Sequence, residues 1–370
     1  MRVILRASVL AISLNFVGFA QAQSATDATL LALSKTDHAL AIVDPASFKV
    51  IAKVPVGNDP HEVIASTDGT TAYVSNYGFG AFNTLAVVDL VGQKALPSID
   101  LGALRGPHGL TFVGGKTWFT AEAAKAIGRY DPATHRVDWI LGTGQNRTHM
   151  IYVTPDMKLI VTTNVSSGTV SIMDQEPVRM PGPPPGAGAG GPGSGGPGPG
   201  GPGPGGPGMP LPPSGAPMPR TDWNETVVKV GNGSEGFDVS PDSREVWVAN
   251  AQDGTISVID LAAKKVVDTL AADVRGANRL KFTVDGKLVL ISTLDGGGLA
   301  VLDAATRKVI KRIPVGRGAG GILIQPDGSR AYVACSPDNY IAVIDLKSLA
   351  VIGHIESGGN PDGMAWAVRR

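Results

Sequence analysis

Short runs in which apolar and β-branched residues alternate with polar ones follow one another along most of the chain, each closed by a turn signal. One quartet is Glu62 to Ser66, Ala72 to Ser75, Leu85 to Asp89 and Ala95 to Ile99. Period-two alternation over so few residues predicts strands, and the Gly, Pro, Asn and Asp between them supply turn chemistry. The third run recurs as near copies: Ala41-Ile42-Val43-Asp44, Ala86-Val87-Val88-Asp89, Ser257-Val258-Ile259-Asp260, Ala300-Val301-Leu302-Asp303 and Ala342-Val343-Ile344-Asp345, with weaker copies ending at Asp131 and Asp174. The Asp positions 44, 89, 131, 174, 260, 303 and 345 are therefore spaced by 45, 42, 43, 86, 43 and 42 residues. The doubled interval contains Met180 to Pro219, almost wholly Pro and Gly, so it holds one period plus an insertion rather than a missing repeat. Four strands in a period of about 40 to 45 residues is propeller spacing.

The two ends complement each other. Gly363 to Val368 supplies only an innermost strand, whereas Leu30-Leu31-Ala32-Leu33 matches the second strand of a repeat. The predicted fold is all-β: a seven-bladed β-propeller of four-stranded antiparallel blades. Its last blade joins one C-terminal to three N-terminal strands and so removes the open sheet edges. Asp68-Gly69, Asp285-Gly286 and Asp327-Gly328, with Pro155-Asp156 and Pro241-Asp242 as variants, mark the turns between first and second strands. The Asp that ends each third strand is expected to accept hydrogen bonds from turn amides.

Charge and composition narrow the function classes. Lys plus Arg and Asp plus Glu both number 32, so the basic footprint that a phosphate backbone demands is missing and nucleic acid is excluded as a general partner. Arg2 and Arg6 precede an apolar run from Val9 to Ala20, and Ala20-Gln21-Ala22 has signal-peptidase spacing. Residues 1–22 are expected to be a signal peptide, removed to leave a periplasmic or secreted propeller at 23–370 with no membrane span. A retained anchor is the competing reading, disfavoured by the short apolar run. Cys335 is the only cysteine, so no intrachain disulfide forms and stability must come from packing. Residues 180–219 cannot pack a core and are expected to be a solvated, partly polyproline II insertion in one blade, on the face opposite the site described next.

Ala72-Tyr73-Val74-Ser75-Asn76, Val246-Trp247-Val248-Ala249-Asn250 and Ala331-Tyr332-Val333-Ala334-Cys335 each follow a Pro-Asp-Gly-like turn and resemble the YVTN-type propeller repeat. The resemblance covers about residues 28 to 370 outside the insertion, with Phe119 and Leu290 standing for the tyrosine in two repeats. It implies an exported bacterial seven-bladed propeller, of a superfamily that includes lactonase-like and quinone-dehydrogenase-associated members. That superfamily is mixed in function, so the resemblance speaks to architecture more than to activity.

Counting back from each turn places His61, His108, His149, Glu235, Asn278, Gly320 and Asp362 at equivalent points where the chain enters an innermost strand, with a shorter first strand accounting for an offset at His108. These positions form a ring at one mouth of the central channel. Asn76, Glu122, Asn164, Asn250, Thr293 and Cys335 are expected to end the second strands beside it, with Glu122 next to His108. His61, His108, His149 and Glu235 could hold a divalent transition metal; His108, Glu122, Glu235 and Asp362 are the acid/base candidates. A polar ring is also what a merely wet channel mouth would show, and Cys335 reads as a buried substitute for Asn rather than a thiolate ligand. Two functions follow: a periplasmic module binding a small molecule or partner protein, with a metal at the channel mouth, or a metal-assisted lactonase, hydrolase or lyase. No Gly-rich phosphate loop, Cys-x-x-Cys-His haem attachment or serine nucleophile elbow occurs in the sequence.

Overall fold

The computed structural model describes residues 28–177, 221–296 and 298–369. The expected signal peptide and the tract at 180–219 lie outside the described residues. The strands assemble into seven four-stranded antiparallel sheets, six of them running in chain order from the innermost to the outermost strand. We number these blades 1 to 7 from the sheet that begins at Pro60. Blade 7 is composite: Pro361–Val368 forms its inner strand and pairs with Ala28–Ser34, which is followed outward by Ala39–Asp44 and Lys49–Pro55. The register Ala28↔Val368 to Ala32↔Met364 closes the ring as the two ends of the sequence predict. Among the described residues no helix is long and apolar enough to cross a membrane.

Burial follows the strand pattern. Second and third strands are buried on both faces, as in Ala72-Tyr73-Val74 and Leu85-Ala86-Val87-Val88, because each blade packs against one on either side. Outer strands are much more exposed; Lys49–Pro55 alternates exposed with half-buried positions and buries only Val54. Leu30, Ala32, Ala41 and Val43 from the N-terminal strands pack with Tyr332, Ile341 and Val343 of blade 6, so closure is sealed by core as well as by backbone pairing.

The repeated Asp residues do what their position predicts: Asp44 accepts the Ala46 amide at 3.0 Å, Asp131 that of Ala133 at 2.9 Å, and Asp345 that of Ser348 at 2.7 Å. Asp174 differs because no tight turn follows it. Its strand continues to Pro177 and pairs Pro177 with Thr221, and its carboxylate is bonded by Lys264 instead.

Blade 2 corrects the sequence register by one residue. Its first strand, Pro107–Val113, is not shortened; the turn is, with only Gly114 and Gly115 between the paired Val113 and Lys116. Pro107 pairs with Ala121 as Pro60 pairs with Asn76. Trp118, not Phe119, therefore occupies the tyrosine position, and Glu122 lies one residue beyond the second strand rather than at its end.

Candidate metal centre

Every predicted ring residue is the second residue of an innermost strand, and one interface mechanism sets several of them. The hydroxyl just before the end of a second strand reaches across to the next blade's ring carbonyl: Ser75 to His108 at 2.9 Å, Thr120 to His149 at 2.6 Å, Thr163 to Glu235 at 2.8 Å, Ser292 to Gly320 at 2.6 Å. The residue after the ring position is Gly109, Gly236, Gly321 or Gly363 in four blades. A Cβ on Gly109 would stand 2.5 Å from the His149 carbonyl oxygen, and one on Gly363 would stand 2.5 Å from that of His61. Only glycine lets adjacent inner strands approach so closely, which explains the recurring glycine as packing.

The three histidines form a run of neighbouring, mutually tilted rings. Ring centroids lie 4.4 Å apart for His61 and His108 and 3.8 Å apart for His108 and His149. His149 Nδ1 donates to Glu122 Oε1 at 2.5 Å, and its Nε2 lies 2.8 Å from Glu235 Oε2, close enough for an ion contact but off the hydrogen-bonding direction. Glu122 also accepts from the Tyr77 hydroxyl at 2.5 Å. Its partner histidine is thus His149, not the expected neighbour His108; the extra residue past the strand carries the carboxylate to the next blade. His108, Glu122 and His149 offer ligand atoms that all lie within 4.8 Å of one another. His108 is 1% exposed, and neither ring nitrogen has a hydrogen-bond partner among the described residues.

The remaining ring positions are more loosely tied to this trio. His61 lies beside it, with Lys35 Nζ 2.6 Å from its Nδ1 and Asp362 3.7 Å from its Nε2. Lys35 also pairs with Asp362 at 2.9 Å. Asn278 accepts from the buried Arg279, whose main bond is to Glu62. Gly320 contributes no side chain. Asn164 and Asn250 end their second strands by donating to Thr and Ser hydroxyls in the same blade. Asn76 likewise donates to Thr84, and the Thr293 hydroxyl to the Gly298 carbonyl. Cys335 is fully buried; burial pushes its thiol up to about 12, and it donates only weakly to the Val315 carbonyl at 3.4 Å.

Proton affinities separate the groups. Burial, with the charges of His149 and His61 against it, drives His108 well below the ordinary imidazole value, so it is neutral. Burial also acts on His149, but Glu235 and Glu122 outweigh it and raise its pKa to about 9. Burial opposes ionisation of Glu235, yet His149 and Arg147 hold it down at about 2. Glu122 and Asp362 are likewise held below the usual carboxylate range against burial, by His149 and by His61 with Lys35 respectively.

Sequence reading missed Lys35, Asp59, Glu62, Tyr77, Arg147 and Arg279. Two of them carried a signal, because Asp59 and Arg147 sit two residues before ring positions. Tyr77 and Glu122 hold equivalent places just after second strands, which only the corrected blade 2 register reveals.

Seven four-stranded blades around a polar, histidine-bearing channel mouth define the class as a seven-bladed β-propeller. The family described as YNCE-like beta-propeller matches residues 219–330, which span blades 4 and 5 and parts of blades 3 and 6. A search among curated proteins finds no match. Similar solved structures include a protein of unknown function from Desulfotomaculum acetoxidans, with TM-score 0.67 and 11% identity over 92% of this chain and 99% of that one. A proposed 6-phosphogluconolactonase of Bacteroides uniformis gives 0.64 and 14% over 92% and 99%, and hydrazine synthase of Kuenenia stuttgartiensis gives 0.63 and 16% over 86% and 92%. At these identities the likeness is one of fold.

Proposed function

We propose that this protein is an exported binding module that holds a divalent first-row transition metal at its channel mouth through His108, His149 and Glu122, with His61 and Glu235 beside them. The observation that carries this reading is His108, buried with both nitrogens unpartnered. An unsatisfied buried polar group costs about 1–3 kcal/mol, and a neutral imidazole facing a second histidine and a carboxylate is the donor set of a borderline metal. Charge supports it. Asp59, Glu62, Glu122, Glu235 and Asp362 are five carboxylates at the mouth against Lys35, Arg147 and Arg279 as permanent cations; once His149 gives up its proton to ligate, the excess is two negative charges, which one divalent ion balances.

Of the acid/base candidates, Glu122, Glu235 and Asp362 are all held ionised, which suits them as ligands or bases. None keeps a proton near neutral pH to serve as a general acid. The export part of the reading rests on residues 1–22, and N-terminal sequencing of protein from the periplasmic fraction should begin at Gln23.

The test is elemental analysis by plasma mass spectrometry of protein purified without chelator or affinity metal, beside His108→Ala. About one ion per chain, lost in the variant, is expected. A metal-replete protein that retains none overturns the reading.

A further inference from the structure

The position two residues before each ring residue has a left-handed backbone in all seven blades. Its φ is 46° at Asp59, 69° at Gly106, 54° at Arg147, 69° at Gly233 and Gly276, 56° at Gly318 and 53° at Asn360. Glycine fills four of these places, and Asp and Asn, the side chains that best tolerate this region, fill two. Arg147 is the exception, a long β-methylene-bearing side chain where the backbone favours glycine. Lys125, Lys264 and Arg307 share this backbone in turns away from the ring, so what singles out Arg147 is its place at the rim of the site rather than the strain itself.

What Arg147 does at the mouth fits that place. Its Nε lies 3.5 Å from Glu122 Oε2 and its Nη1 3.8 Å from Glu235 Oε1, with the side chain 43% exposed. These are long ion contacts, and the guanidinium donates no close hydrogen bond among the described residues. The other two permanent cations are committed: Lys35 to His61 and Asp362, and Arg279 to Glu62 and Asn278. Arg147 therefore holds a donor fork, shaped for a planar oxyanion, with only long ion contacts to Glu122 and Glu235 beside His149.

We propose that Arg147 is the anion clamp of the metal site, and that the ligand it selects is a small carboxylate, held between the metal and the guanidinium. This rests on the metal reading above, since without the ion the surrounding carboxylates repel any anion. A monoanion is favoured over a phosphate dianion because the ion already brings the mouth, Arg147 included, to neutrality, so each further negative charge is left uncompensated and the ligand of lowest charge is preferred.

The experiment uses the protein loaded with Co(II), whose visible spectrum reports changes at the ion, titrated with acetate and separately with inorganic phosphate. The parent should respond to acetate at lower concentration than to phosphate. Arg147→Gly should weaken acetate binding at least tenfold while leaving one Co(II) per chain. Its melting temperature should equal or exceed the parent's, because glycine relieves the left-handed backbone. Arg147→Lys, which keeps the charge but not the fork, should recover only part of the affinity. Unchanged acetate affinity in Arg147→Gly, preference for phosphate, or a fall in melting temperature with acetate binding intact would each overturn the clamp while leaving the metal site standing. A parent that takes up no Co(II) overturns the metal reading and the clamp with it.

Discussion

At the residue scale, the channel mouth is governed by how few partners each buried group has. His108 has none among the described residues, whereas His149 is enclosed by Glu122 and Glu235. His149 gives a pH dependence with a definite sign in chelator-treated protein. Its folded pKa of about 9 lies above the ordinary 6.5. The stabilisation is thus complete below about pH 6.5 and is lost as the pH rises through about 9. Urea unfolding at pH 6, 8 and 10 should show stability falling across that interval, and His149→Asn should flatten the fall. Equal pH dependence in the two proteins would mean that another group sets the alkaline limb. The acid limb belongs to Glu235, whose lowered pKa supplies stability above about 4.5 that is lost as the pH falls toward 2. Both limbs describe one ion contact, so they are counted once.

At the element scale, the inner strands decide the geometry of the site. Each ring residue enters an inner strand after a left-handed residue, and its carbonyl is bonded by the preceding blade's hydroxyl in four cases. The glycine after it then allows the blades to close up. Gly109→Ala should be destabilising by about 2 kcal/mol or more, since the new methyl meets the His149 carbonyl and the Met150 backbone, which cannot move without shifting blade 3. Thermal unfolding checks the cost, and metal stoichiometry should fall with it because His149 is displaced. Gly142→Ala, where a Cβ meets nothing within 4 Å, is the control expected to stay within about 0.5 kcal/mol of the parent. The blade 2 register belongs to this scale too. A two-residue Gly114-Gly115 turn shifts the second strand by one position, and that shift puts a glutamate rather than an alanine beyond the strand end.

At the scale of the whole molecule, closure and site are the same structure. The strand Pro361–Val368 supplies Asp362 to the ring, places Gly363 against the His61 carbonyl, and pairs with Ala28–Ser34. A chain ending at Asn360 would expose the long apolar edge Leu30 to Leu33 and lose the inner wall of blade 7. Size-exclusion chromatography should then show aggregation or loss of the monomer peak, and calorimetry should show the single unfolding transition broadened or lost. A truncated protein that unfolds in one transition near the parent temperature would show that blade 7 is dispensable to the ring.

The sequence by itself determined the architecture. Strand alternation, the Asp spacing and the complementary ends are local signals that repeat, so an error in one blade is corrected by the others, and the seven blades and their closure were legible from them. The ring positions were legible for the same reason. Tertiary structure alone decided which of those residues meet. Glu122 reaches His149 instead of His108, Trp118 replaces Phe119 at the tyrosine position, and Lys35, Tyr77, Arg147 and Arg279 converge on the mouth from four different blades. Contacts between blades depend on turn length and on the approach of neighbouring inner strands, and one residue gained or lost in a turn changes a side chain's neighbour without leaving any mark in the repeat pattern.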